Sequence, residues 1–291
     1  MEFRMRKIGI YYAFWTHEWV ADFLPFVPKV KKLGYDILEV HSGILADWTE
    51  SKRLELAKAA KDEGIQLSYG LGCSAEYDVS SPDERIRQNG LRYMTSLIQA
   101  VGRMGGGVVQ GSTYCAWPKK LEVGESKQQY VDQSFKSMKE LAKVAEDSNV
   151  IVNMEILNRF EQFIFNTVAE ALPFVSAIDS PNLGLLLDTF HMNIEEDSFY
   201  QAIIQAGKYM KGLHCGETNR KPVGMGRMPW KEIREALDSI QFDGQIIQEP
   251  FVMFGGQVGQ DISVWREVIE NPDLDKLASD SAAFMRRVLV V

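Results

Sequence analysis

Four polar residues each close an apolar run in the second half of the chain. The run at 150–154 leads to Glu155, 183–187 to Asp188, 209–213 to His214 and 245–248 to Glu249. Short apolar runs bounded by turn residues read as buried parallel strands, covered on both faces. As neighbours in one closed barrel, these strands would bring three carboxylates and an imidazole to one rim. Carboxylates buried together without partners are too costly to leave bare, and a divalent cation satisfies them jointly. Oxygen donors with one imidazole suit Mn2+, Co2+ or Mg2+ better than a structural zinc ion, which favours cysteine and histidine. The cysteines Cys73, Cys115 and Cys215 are odd in number and widely spaced, with no CxxC pair. They offer no competing cluster and read as reduced thiols of a cytoplasmic protein.

The elements that must position these residues alternate along the whole chain. Strand patterns fall near 8–12, 36–40, 66–70, 107–110, 150–155, 183–188, 210–214 and 245–249. Helical patterns between them include 25–33, 51–63, 83–102, 126–147, 167–177, 229–240 and 275–289. Eight strand-then-helix units predict an α/β (β/α)8 TIM barrel, a single domain over 1–291, in preference to a doubly wound open sheet. No linker or composition shift divides the chain. Barrel enzymes carry their chemistry at the C-terminal ends of the strands, which is where Glu155, Asp188, His214 and Glu249 fall. One carboxylate at a strand end is usually a helix cap or a salt-bridge partner. Four residues able to ligate, one on each of four successive barrel strands, read as a site. Cys215 follows His214 and is expected on the opposite face of its strand. The run 105–107 is three glycines ahead of a strand instead of a helix, and therefore a turn and not a phosphate loop.

Composition excludes several classes. A net charge of −8 leaves no basic excess to neutralise phosphates, so no nucleic-acid partner is expected. No apolar stretch reaches the roughly 20 residues of a membrane span, so no membrane partner is expected either. The start is basic over residues 1–7, but the apolar segment 8–14 is short and carries tyrosines. It reads as a first strand and not as a signal peptide.

The longer polar motifs add a resemblance. Residues 154–161 (MEILNRFE), 187–197 (LDTFHMNIEED), 214–220 (HCGETNR), 224–230 (GMGRMPW) and 249–252 (EPFV) are similar to the D-tagatose 3-epimerase / D-psicose (D-allulose) 3-epimerase family. That family lies within the xylose isomerase-like TIM barrel superfamily, and the resemblance runs from residue 9 to the final helix. It implies a ketose 3-epimerase interconverting free ketohexoses (D-fructose/D-psicose, D-tagatose/D-sorbose), with one Mn2+ or Co2+ per subunit held by Glu155, Asp188, His214 and Glu249. It further implies that Glu155 and Glu249 are the two catalytic bases. Glu161, His191 and Arg220 match positions that hydrogen-bond the sugar near its reacting carbons, and Tyr11, Trp117 and Phe251 match an apolar wall. Members assemble as homodimers or homotetramers, for which Trp230 and Trp265 are candidate contact residues, each equally open to burial within its own subunit. The chain departs from the family at 110–118, which reads QGSTYCAWP where relatives usually read GGALYSYWP, and also around 40–44 and 70–73. These loops sit where the distal hydroxyls of the sugar should lie. His41 is expected there as a substrate-side or structural histidine, and His17 as a packed or surface residue.

Moving a proton alpha to a carbonyl requires stabilising an enediolate and placing an acid–base group on each face of C3. An aldose–ketose isomerase on the same barrel and metal site is the alternative, since it uses the same enediolate with proton transfer between C1 and C2. Two further classes are weaker. A multi-zinc endonuclease would need more than four histidines, and a non-catalytic sugar-binding protein would need no second carboxylate.

Overall fold

The computed structural model describes residues 6–290, so most of the basic start lies outside the described residues. Eight parallel strands close into a barrel in chain order. They are β1 (Ile8–Tyr11), β2 (Ile37–His41), β3 (Gln66–Gly72), β4 (Gly107–Ser112), β5 (Val150–Glu155), β6 (Leu183–Asp188), β7 (Met210–Cys215) and β8 (Gln245–Gln248). The helices are α1 (Phe26–Lys32), α2 (Glu50–Glu63), α3 (Glu84–Arg103), α4 (Lys127–Ser148), α5 (Val168–Ile178), α6 (Thr189–Glu195), α7 (Phe199–Ala206), α8 (Trp230–Ser239), α9 (Gly256–Asp261) and α10 (Leu274–Met285). Each predicted strand is present to within two residues at either end. The helices α6, α7 and α9 are additions to the seven expected ones.

Local chemistry explains the boundaries. Thr49, Asp83, Thr167, Ser198 and Asp273 cap α2, α3, α5, α7 and α10, each side chain accepting a backbone N–H of the first turn. The helix α2 stops at Gly64 and α4 at Asn149, both in the left-handed conformation that satisfies the final carbonyls. On α3, Leu91, Met94, Leu97, Ile98 and Val101 form one buried stripe against the barrel. The glycine run is the expected turn. All three residues have positive φ, and a Cβ at Gly106 would come within 2.7 Å of the Asn149 carbonyl.

The inside of the barrel is not uniformly apolar. Glu39, Ser68, Gln110 and Asn153, from β2 to β5, are all buried and form a polar layer. Ser68 Oγ and Gln110 Nε2 donate to Glu39 Oε2 at 2.7 and 2.6 Å, and Asn153 Nδ2 donates to Gln110 Oε1 at 3.2 Å. Gly212 on β7 makes room for this layer, since a Cβ there would sit 2.8 Å from Gln110 Oε1. Among the described residues no helix is long and apolar enough to cross a membrane. The three cysteines are unpaired and buried, Cys215 included.

Candidate metal centre and active site

The strand register assembles the cluster. Asp188 pairs with His214 across β6 and β7, and the amide of Glu249, one residue beyond β8, donates to the Cys215 carbonyl at 2.9 Å. Glu155 ends β5 on the other side of Asp188. Each of Glu155, Asp188, His214 and Glu249 thereby offers one ligand atom, and the four atoms lie within 4.8 Å of one another. In strand order the two glutamates flank the Asp188–His214 pair.

Several features fit these residues to a cation. Asp188 Oδ1 accepts the amides of Phe190 and His191 at the start of α6, at 2.6 and 3.2 Å, whereas Oδ2 is buried with no hydrogen-bond partner. His214 Nδ1 is likewise buried and unpartnered, 3.7 Å from an oxygen of Glu155 and from one of Glu249. Orphaned polar atoms are rare in protein interiors. Here two of them point into one group of carboxylates. Burial pushes the Glu249 carboxyl up to about 8, with His214 and Arg220 pulling against it and Glu155 and Asp188 adding repulsion. The carboxylates therefore resist ionising together unaided, and a cation held among them would neutralise that charge.

The opposite edge of the His214 ring explains its orientation. Nε2 lies 2.9 Å from Glu39 Oε1 and 3.2 Å from Gln110 Nε2. Two lone pairs at 2.9 Å would repel, so the proton belongs on Nε2, leaving Nδ1 free to act as a ligand. Burial alone would raise the Glu39 carboxyl. The adjacent His214 ring, with Gln110 and Ser68, holds it below the usual carboxylate range instead. Glu39 is thus placed as the carboxylate of a carboxylate–histidine–metal arrangement would be, were a cation held by His214 Nδ1. The strand-end reading missed it. A glutamate inside the apolar run Ile37-Leu38-Glu39-Val40 was the available signal.

Above the cluster lies a cavity of about 350 Å³. Of the ten residues picked from sequence, Tyr11, Trp117, Glu155, Glu161, His191, His214, Arg220, Glu249 and Phe251 line it, and Asp188 lies buried beneath. Arg220 Nη1 is 2.9 Å from Glu249 Oε2 and 3.5 Å from Asp188 Oδ2, and the guanidinium stacks over Phe190. Its backbone has φ +60°, an uncommon conformation for a side chain of this size. The loop is fixed beneath it by buried Glu217, which accepts the amides of Gly224 and Met228 and the Trp230 indole N–H. Of the two tryptophans open to either placement, Trp230 is buried, with an internal acceptor for its N–H. Trp265 is exposed, at 66%. His191 Nδ1 accepts the Asn158 amide N–H at 3.2 Å, leaving Nε2 toward Glu155 and Arg220. Glu161 accepts from Trp117 Nε1 at 2.9 Å and from Asn158 Nδ2 at 3.0 Å. Although burial opposes it, His191 and Arg220 keep the Glu161 carboxyl below its ordinary range. His41 lines the cavity, and His17 is an exposed residue whose Nδ1 contacts the Gly255 carbonyl at 3.2 Å.

Comparison with known proteins is in accord with this geometry. The family model described as xylose isomerase-like TIM barrel matches residues 27–287. The chain is 43% identical to a D-psicose 3-epimerase of Ruminiclostridium cellulolyticum, covering 97% of this chain and 98% of the relative. It is 39% identical to a D-psicose 3-epimerase of Agrobacterium fabrum, covering 97% and 99%. It superposes on the crystal structure of D-psicose 3-epimerase with D-tagatose from Clostridium cellulolyticum H10 at a TM-score of 0.95. That match has 43% identity and covers 98% of this chain and 100% of the other.

Proposed function

The chain belongs to the xylose isomerase-like TIM barrel family, and from that premise we propose that it is a metal-dependent ketose 3-epimerase acting on free ketohexoses such as D-psicose, D-fructose and D-tagatose. The single observation that carries this reading is the convergence of Glu155, Asp188, His214 and Glu249 beneath one cavity, with two carboxylates on the outer strands of the four. The donor set of three carboxylates and an imidazole supports Mn2+ or Co2+, with Mg2+ admissible. A divalent ion held by these four residues would supply electrostatic stabilisation for the negative charge that develops on the C2 oxygen.

The protein's own groups do the rest. One of Glu155 and Glu249 acts as a carboxylate and removes the C3 proton, its electron pair passing into the C2–C3 bond and the carbonyl oxygen. The other, as a carboxylic acid, returns a proton to the opposite face of C3. The two exchange protonation states at each turnover, so the same pair runs the reaction in either direction. Arg220 holds Glu249 and balances the charge of Asp188. His191 and Glu161, each fixed by Asn158, offer polar contacts beside the reacting carbons. Tyr11, Trp117 and Phe251 exclude water and pack against the sugar skeleton. We further assign the enzyme to the cytoplasm on its three unpaired cysteines. A homodimer or homotetramer accords with exposed Phe160 and Trp265 near the cavity mouth.

Incubating the Mn2+-loaded protein with D-psicose in D2O tests the assignment. D-Fructose carrying deuterium at C3 is the expected product. Deuterium at C1 or C2 with an aldose product would move the assignment to the isomerase alternative.

A further inference from the structure

The candidate ligands occupy β5 to β8, and in a barrel closed in chain order β2 lies across from β6. A sugar whose C2–C3 end sits at the cluster must extend its other end toward β2 to β4. His41 is the last residue of β2, and its ring lines the same cavity. The ring packs against the Trp19 indole, with centroids 6.1 Å apart. Among the described residues no group hydrogen-bonds either ring nitrogen. Two polar groups lining the same cavity are already engaged. Trp19 Nε1 donates to Asp261 Oδ2 at 2.7 Å, and Ser112 Oγ donates to the Cys115 carbonyl at 2.8 Å. Gly43 makes the pocket for the ring, because a Cβ there would stand 2.6 Å from His41 Nε2.

We propose that His41 is a specificity residue that hydrogen-bonds the terminal hydroxyl of the sugar and selects an unphosphorylated ketohexose. Burial pushes its imidazole down to about 4, so at neutral pH the ring offers one donor and one acceptor and no charge. Such a group matches a hydroxyl in both roles, whereas to a phosphate it offers a single donor and no positive charge. The Asp261 carboxylate, also on the cavity wall, opposes a phosphate further. Sites built to bond a hydroxyl discriminate against analogues lacking it, because the site's polar group is then left unpaired. This assignment rests on the epimerase reading and adds a substrate-contacting residue on the wall away from the metal ligands.

The test compares kcat/KM for D-psicose and 6-deoxy-D-psicose in wild type, His41→Leu and Gly43→Ala. Wild type is expected to prefer the parent sugar by about tenfold, the scale of one hydrogen bond. His41→Leu should lose about tenfold on D-psicose, change little on the deoxy sugar, and bring the ratio near one. Gly43→Ala, which pushes the ring aside, should shift the ratio the same way. His41→Asn should restore part of the preference, and it also serves if the leucine variant fails to fold. An unchanged ratio in the folded variants, or equal losses on both sugars, overturns the proposal. If wild type epimerises neither sugar, the functional reading fails instead. Calorimetric binding of the two sugars to wild type and His41→Asn then decides the role of His41 by the same ratio.

Discussion

The two halves of the barrel mouth work differently. From β5 to β8 the rim presents charge directly, as Glu155, Asp188, His214 and Glu249 with Arg220 above them. From β1 to β4 it presents rings and small residues to the cavity, such as Tyr11, His41, Gly70 and Gly72, and keeps the carboxylate of Glu39 below them. The first half can do chemistry. In our proposal the second half sets where the chemistry's parts stand and which sugar reaches them. Glu39 links the two, since it reaches across the barrel to orient His214.

The largest effect should come from breaking the charged half. Glu155→Gln and Glu249→Gln are each expected to lower kcat by roughly 10³-fold or more while circular dichroism reports a folded barrel. Near-normal turnover in either would remove the two-base scheme. The next prediction targets the other half. Glu39→Gln leaves all four proposed ligands in place and alters only the partner of His214, yet should weaken metal binding by about 10- to 100-fold, as measured by competition with a chromophoric chelator. Unchanged affinity would show that Glu39 merely fills the barrel.

How much of this was visible in the residues alone follows the same division. The charged half stood out because carboxylates at strand ends interrupt apolar runs, and the spacing of the runs gave the barrel. Glu39 was hidden because its partners Ser68, Gln110 and His214 come from three other strands, and only register brings them together. The placement of Trp230, exposed or buried, stayed open for a related reason, as its acceptor Glu217 lies thirteen residues away in a loop without periodicity. The helices α6 and α7 between β6 and β7 are short, and their caps Asp188 and Ser198 were not read as such.

A third prediction concerns protons. The folded pKa of Glu249 is raised, to about 8, and that of His214 is raised also, through Glu39 and Glu249 against the opposing effect of burial. Both groups therefore bind more protons folded than unfolded when no ion is present. Glu249 contributes stability that is present below its unfolded value and declines as pH rises toward 8, and His214 acts in the same direction above its ordinary value. Asp188 and Glu39, whose values are lowered, contribute stability lost only at acid pH. The Tm of the metal-free protein should thus fall between pH 5 and 8, and fall less in Glu249→Gln. Metal must displace these protons, so apparent affinity should rise with pH over the same window. The smallest expected effect is that of Trp117→Phe, which removes only the hydrogen bond to Glu161 Oε2. A loss of roughly tenfold or less in kcat/KM, with metal affinity unchanged, would place Trp117 with the positioning half of the mouth.

The most direct test of the two-carboxylate account is hydrogen exchange at C3 in the single variants. Glu155→Gln and Glu249→Gln, saturated with Mn2+, would each be incubated in D2O with D-psicose and separately with D-fructose, and followed by NMR. The account predicts that each variant exchanges the C3 proton of one epimer without inverting it, and that the two variants choose opposite epimers. Exchange of the same epimer by both variants, or inversion by either at the wild-type rate, would contradict it.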